Sequence, residues 1–261
     1  MTLTYPSSST REEKLKHAHM IKELMLNRYD TAVIAIGLYG SLGAGTELPY
    51  SDIEMHVIVD DTVSPRDFEF IWNDYKLEIN IRSEQELLQA AKIVDMKWPI
   101  ATGSLIRVLP LYDPKKYFER VKQQAIVTMQ QLEPFKQLAT TYMIHDLYET
   151  MGKIRGNMEA GERGYIPLGA IDLVWETSMV IGLMNRQYFT TRARTIEEAM
   201  NLPSLPNGYQ ALAAKVIQGS LEDVEQVYAW CEDLWSGLNE WCEQLGIAYK
   251  AEHVSLEAMF K

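Results

Sequence analysis

Two short apolar runs, TAVIAIGLYG and IEMHVIVD, are joined by the segment SLGAGTELPYSD. Each run is rich in β-branched residues and too short for a core helix, and Gly and Pro interrupt the chain between them, so the pair reads as two strands linked by a glycine-rich turn. This arrangement fixes how the second strand starts. In a strand, residues two apart share a face, so Ile53 and Met55 point to the core while Asp52 and Glu54 point away from it together. Two like charges that close are costly unless a cation lies between them. Hard carboxylate oxygens suit Mg²⁺, which takes one or two protein carboxylates and completes its shell with water and substrate phosphates. The glycines at 37, 40, 43 and 45 let backbone amides approach phosphates, and Ser41 and Ser51 add hydroxyl donors. A lone Asp-x-Glu also describes a solvated strand end; the glycine turn before it makes the metal-nucleotide reading the more specific one.

The rest of the chain divides by periodicity. Residues 10–29 carry Ile21, Leu24, Met25 and Tyr29 at helical spacing behind a capping-box signature, Thr10 and Glu13. FEFIWNDY reads as a short helix. KLEINIRS alternates like a half-buried strand, which puts Glu78 on its polar face as a third acid for the same site. Residues 84–95 read as a helix and IRVLPLYD as a strand broken by Pro110. Beyond this point the segments are long and helical, from YFERVKQQAIVTMQQL to LEDVEQVYAWCEDLWSGLNEWCEQLG. The expected architecture is an α/β N-terminal domain with a mixed sheet over residues 1–125, then an all-α helical bundle over 126–261.

Composition narrows the partners. Lys and Arg number 25 against 36 Asp and Glu, a formal charge of −11, which lacks the clustered cations a nucleic-acid surface needs and favours a cationic ligand. No apolar stretch reads as approaching the roughly 20 residues of a membrane span, and the N-terminus lacks a signal peptide's apolar run, so a cytoplasmic protein with no membrane partner is expected. Cys231 and Cys242 sit in a helical segment and read as free or buried thiols.

Strand, Gly-Ser, ten residues, then Asp-Ile-Glu opening another apolar strand resembles the signature of the DNA polymerase β-like nucleotidyltransferase superfamily, and fits neither a P-loop nor a Rossmann fingerprint. Six segments resemble, in order, the aminoglycoside 4'-O-nucleotidyltransferase (kanamycin nucleotidyltransferase) family. They are YGSLGAGTELPYSDIEM, YKLEINIRSEQELL, WPIATGSLIRVLPLYD, HDLYETMGKIRGN, IGLMNRQYFTTRA and LPNGYQAL. The resemblance implies transfer of a nucleoside monophosphate from a Mg²⁺-bound NTP such as ATP to the 4'-hydroxyl of an aminoglycoside, with pyrophosphate released and the antibiotic inactivated. It also implies a homodimer with clefts lined by both subunits.

On this chain the resemblance puts the metal on Asp52 and Glu54 and the nucleotide on Ser41, Ser51, Lys153 and Thr191. Glu149 becomes the base beside Lys153, and the acceptor falls to Glu69, Glu78, His145, Asp146 and Glu149. Independently, Glu149 and Lys153 lie one helical turn apart on one face, as do His145 and Glu149; an ordinary surface ion pair accounts for the first spacing equally well. Glu69, Glu78 and Asp146 read equally as plain solvated carboxylates. Three positions depart from the family: Ala44 stands where it has an arginine, His145 where it has a glutamate, and Lys97 where it has an aspartate. These departures bear on the antibiotic spectrum. A lincosamide acceptor, or a nucleotide-binding module without chemistry, remains as an alternative reading.

Overall fold

In the computed structural model, which describes residues 6–73, 75–251, 255 and 259, the chain forms two units. One comprises the residues up to Ile93 and Ile100–Gln130; the other comprises Val94–Pro99 and the residues from Gln131 onward.

The first unit begins with α1, Arg11–Tyr29, whose N-terminus is closed by the expected capping box: the Thr10 side chain accepts from the Glu13 amide and the Glu13 carboxylate accepts from the Thr10 amide. The chain then runs through β1 (Val33–Leu38), the five-residue helix α2 (Gly40–Ala44), β2 (Ile53–Val59), β3 (Arg66–Trp72) and β4 (Tyr75–Ser83). Next come α3 (Glu84–Ala90), α4 (Trp98–Ala101, of which Trp98 and Pro99 count with the second unit), α5 (Gly103–Ile106), β5 (Leu109–Tyr112) and α6 (Tyr117–Met129). The sheet order is β3-β4-β2-β1-β5, with β2 and β4 parallel and the other pairs antiparallel.

Alternation decides which face is which. Ile53, Met55, Val57 and Val59 of β2 and Leu77, Ile79 and Ile81 of β4 cluster with Ala18 and Ile21 of α1. Ala35 and Ile58 lie in a second cluster with Leu87, Tyr117, Phe118 and Val121 from α3 and α6. Each fully buried Val or Ile stabilises by roughly 1.5–3 kcal/mol, so a one-residue register slip, which would turn Glu54 and Glu78 into the first core, is strongly disfavoured. Lys14 is completely buried, and its ammonium donates to the carbonyls of Ser9, Leu48 and Pro49 at 3.0, 3.2 and 3.0 Å.

The structure corrects three local expectations in this unit. FEFIWNDY is no helix: Arg66–Trp72 is the edge strand β3, paired antiparallel with β4, and Asn73 starts the turn in a left-handed conformation (φ 44°); Asp74 lies outside the described residues. Its Phe68 and Trp72 pack on the α1-side core, which outweighs local helical spacing. Pro110 does not break its strand, because β5 is the other edge, where a missing N–H is tolerated. The helix expected over 84–95 ends at Ala90.

The second unit is helical: α7 (Glu133–Tyr142), a π-helical turn at Met143–Leu147, α8 (Tyr148–Ala160), α9 (Ile166–Asn185), α10 (Thr195–Ala199), α11 (Tyr209–Gln218) and α12 (Val224–Leu245). The central helix is α9, with Leu173, Val174, Val180, Ile181 and Leu183 fully buried and α7, α8, α10, α11 and α12 packed around it. Arg163–Asn185 is long and apolar enough to cross a membrane by length and composition, contrary to the sequence reading; 67 % of its most apolar window is buried in the fold. A helix surrounded by others is apolar on all sides for the same reason. Cys231 and Cys242, both on α12, are free and buried.

Candidate functional site

In the first unit the pleat brings the predicted acids into one row. Glu54 on β2 is the register partner of Glu78 on β4, and Glu78 is the partner of Glu69 on β3. Register partners share a face, so three glutamates stand side by side across three strands, and Asp52 lies two residues before Glu54 on the same side. Like charges directly opposite each other destabilise a sheet, so this row costs the fold energy. Lys76 offsets part of it, with its ammonium 2.7 Å from Glu69 and 3.9 Å from Asp52. Burial, then the neighbouring Asp52 and Glu78, pushes the Glu54 carboxyl up to about 8. Burial raises that of Asp52 as well.

The glycine turn meets this row directly. Gly40 has φ +61°, and a Cβ there would lie 1.7 Å from Glu54 Oε2. Gly43 is small for another reason: its Cβ would lie 2.4 Å from the Leu38 carbonyl. Ser41 is half-buried within α2, while the Ser51 hydroxyl accepts from the Leu48 amide at 2.9 Å and keeps its proton to donate. Behind the acids, Tyr39 and His56 stack at 4.0 Å and 18°. Burial raises the Tyr39 phenol, which also donates to Glu78, and lowers His56 to about 4.

No three His, Cys, Asp or Glu side chains among the described residues converge as a closed metal cage. The residues nonetheless fit Mg²⁺, which needs only one or two protein carboxylates beside phosphate and water. Asp52 and Glu54 supply hard donors, both raised by burial and further by their acidic neighbours, the condition a cation relieves.

In the second unit Glu149 and Lys153 form an exposed ion pair at 2.7 Å, one turn apart on α8 as expected. The ammonium's hydrogen bond lowers the Glu149 carboxyl. His145 is exposed and lies inside the π turn, so its spacing to Glu149 is not the α-helical one that the sequence implied. Asp146 is half-buried, with one oxygen buried and unpartnered. Thr191 precedes a 3-10 turn, its carbonyl accepting from Thr195 Oγ1 at 3.1 Å. Lys97 is exposed, and Ala44 ends α2.

Four neighbours were not singled out from sequence. Lys76 and Asn80 flank Glu78 at two-residue spacing, and Tyr39 adjoins the glycine turn; strand parity was the available signal. The fourth is Glu176 on α9, which accepts from Thr150 Oγ1 at 3.2 Å, has a buried second oxygen with no partner, and is pushed up to about 7 by burial, with Asp146 and Asp172 adding to the shift. An acid inside the most apolar helix was its signal. A cavity of about 550 Å³ lined by Leu105, Val108, Phe118 and Lys122 holds none of these residues.

Two curated proteins, from Staphylococcus aureus and a Bacillus species, both named aminoglycoside nucleotidyltransferase (4'), are 36 % identical to this chain over 241 residues, covering 92 % of it and 94 % of each of them. The chain belongs to the aminoglycoside nucleotidyltransferase (4') family. Consistent with that membership, residues 115–248 match the KNTase C-terminal domain family. The fold resembles that of a nucleotidyltransferase-like protein from Exiguobacterium sibiricum, with a TM-score of 0.50 and 12 % identity, covering 89 % of this chain and 75 % of that one. The mixed sheet followed by a helical region is thus the nucleotidyltransferase architecture expected from the sequence.

Two predictions arise from this geometry. In Gly40→Ala the new methyl displaces the Glu54 carboxylate, and turnover falls by about 10²-fold or more, the scale of an ångström-level misplacement; steady-state kinetics on the folded variant checks it, and normal turnover contradicts it. For Glu176 the folded carboxyl lies above its unfolded value of 4.5. The stability present below pH 4.5 is therefore lost as pH rises to about 7. Glu176→Gln removes that loss, so it stabilises by on the order of 2 kcal/mol at pH 8 and not at pH 4; melting curves at the two pH values read the difference.

Proposed function

We propose that the chain transfers a nucleoside monophosphate from an NTP such as ATP, bound with Mg²⁺, to the 4'-hydroxyl of an aminoglycoside such as kanamycin, releasing pyrophosphate in the cytoplasm. The observation that carries this reading is the row Glu54–Glu78–Glu69 with Asp52 beside it, in a chain that shares 36 % identity with relatives of that name.

Residues 1–125 supply the metal ligands and the serine contacts to the triphosphate. Asp52 and Glu54 would hold Mg²⁺, which would supply charge neutralisation at the phosphates and at the leaving pyrophosphate. Ser41 and Ser51 donate to the triphosphate, and Thr191 contacts the nucleotide. Lys153 serves the α-phosphate. As Lys153 turns to phosphate, the hydrogen bond that lowers Glu149 is released, and its carboxylate becomes a better acceptor for the proton of the attacking hydroxyl. The ammonium groups of the acceptor are met by Glu69, Glu78 and Asp146, with His145 alongside. The net charge of −11 assists its approach, most at low salt.

We further propose that the active form is a homodimer: Ile144, Tyr148, Leu168 and Ile171 are large apolar side chains exposed on the helical unit. Sedimentation showing a fully active monomer at micromolar concentration overturns it.

The test of the reaction is pyrophosphate release from Mg-ATP with a panel of aminoglycosides and a lincosamide. Kanamycin is expected to be modified at the 4'-hydroxyl and the lincosamide left intact. Asp52→Asn abolishes Mg²⁺-dependent transfer. Glu149→Gln lowers kcat by roughly 10²–10⁴ with nucleotide affinity nearly unchanged; unaltered turnover in either variant removes that residue from its role.

A further inference from the structure

We propose that Tyr39 is a positioning residue that holds Glu78 ready for an ammonium group of the acceptor, an inference that rests on the reaction proposed above. The Tyr39 hydroxyl donates to Glu78 Oε1 at 2.6 Å. Asn80 Nδ2 donates both to that hydroxyl at 2.6 Å and to the same Glu78 oxygen at 2.9 Å. Three side chains thus close a small ring of hydrogen bonds in which Glu78 Oε1 takes both donors. Among the described residues no hydrogen bond is recorded to Oε2, the oxygen left for a ligand.

The clamp is itself immobilised. Tyr39 is buried, its ring lies flat against His56, and its backbone amide donates to the Glu54 carbonyl at 3.0 Å. His56 is held in turn, with Nε2 3.2 Å from the Ser104 carbonyl. The phenol therefore has little freedom to follow Glu78; instead, Glu78 is fixed to the phenol. A glutamate has three side-chain torsions to freeze when it meets a cation, and freezing them beforehand favours binding. The effect belongs to acceptor recognition: an ammonium is a compact charge that needs a fixed anionic oxygen, and Glu78 lies one strand away from the Asp52–Glu54 pair.

The experiment compares wild type, Tyr39→Phe, Glu78→Gln and the double variant, by steady-state kinetics with Mg-ATP and kanamycin and by calorimetric titration with kanamycin alone. Tyr39→Phe is expected to raise the acceptor KM about 10-fold, the scale of leaving a buried charged group short of a hydrogen bond, with kcat and the ATP KM changed by less than about 2-fold. In the Glu78→Gln background the same substitution adds less than about 2-fold, since the group it positions is already gone. Asn80→Ala keeps the Tyr39–Glu78 bond and is expected to raise the acceptor KM about 3-fold, which serves as the test should Tyr39→Phe not fold.

An unchanged acceptor KM in Tyr39→Phe, an undiminished effect in the Glu78→Gln background, or a parallel rise in the ATP KM overturns the positioning role while leaving the reaction standing. If the wild type neither binds nor modifies kanamycin, the reaction is overturned and this role with it.

Discussion

The Glu54 carboxylate occupies the volume that any side chain at position 40 would need. That constraint joins the glycine turn to the acidic strand, because pairing of β1 with β2 sets Leu38 opposite Met55 and so brings the residues just after β1 alongside Glu54. Gly40 is required twice over, by its φ of +61° and by the 1.7 Å approach. The motif that looked like two features ten residues apart is a single steric unit. The row of acids depends on it: Glu54 cannot retreat toward the turn, so its repulsion with Asp52 and Glu78 is relieved by Lys76, by uptake of a proton or by a bound cation.

A second support comes from α1. Lys14 binds the Leu48 and Pro49 carbonyls, and Arg11 reaches the Leu42 carbonyl at 3.2 Å and Glu47 at 2.6 Å. Two cations on one helix start therefore brace both the glycine helix and the loop that leads into Ser51 and Asp52. A loop of this length would otherwise carry its own conformational freedom into any ligand contact. Burying an ammonium is costly unless its protons are satisfied, and here three carbonyls accept from it.

The sequence was most readable where a single period governs. Strand parity placed Asp52, Glu54 and Glu78 on one face and Ile53, Met55 and Ile79 on the other, and Thr10 with Glu13 marked the start of α1 to the residue. Reading failed where long-range partners decide. FEFIW carries apolar residues at both helical and strand spacing, and only its pairing with β4 selects the strand. Pro110 is harmless because β5 has no outer neighbour among the described residues, a fact of sheet order that local sequence does not contain. Lys76 and Asn80 share the parity of Glu78, so their face is legible in the sequence, whereas their partners Glu69 and Tyr39 come from other strands and loops. The burial of Glu176, by contrast, depends on how α9 is enclosed.

The π turn at Met143–Leu147 has a further effect, on helical phase. Phe135, Ala139 and Tyr142 are buried at α-helical spacing, and 3.6 residues per turn would carry that stripe on through positions near 146, 149 and 153. From the last residue of the turn onward the buried positions are instead Leu147, Thr150, Met151 and Ile154. The wider turn absorbs about one extra residue and rotates everything after it by roughly 100°. Without that rotation Glu149 and Lys153 would face the bundle core, where neither charge is tolerable unpaired. Insertion or loss of one residue between 143 and 147 therefore acts at a distance on both side chains while altering neither of them.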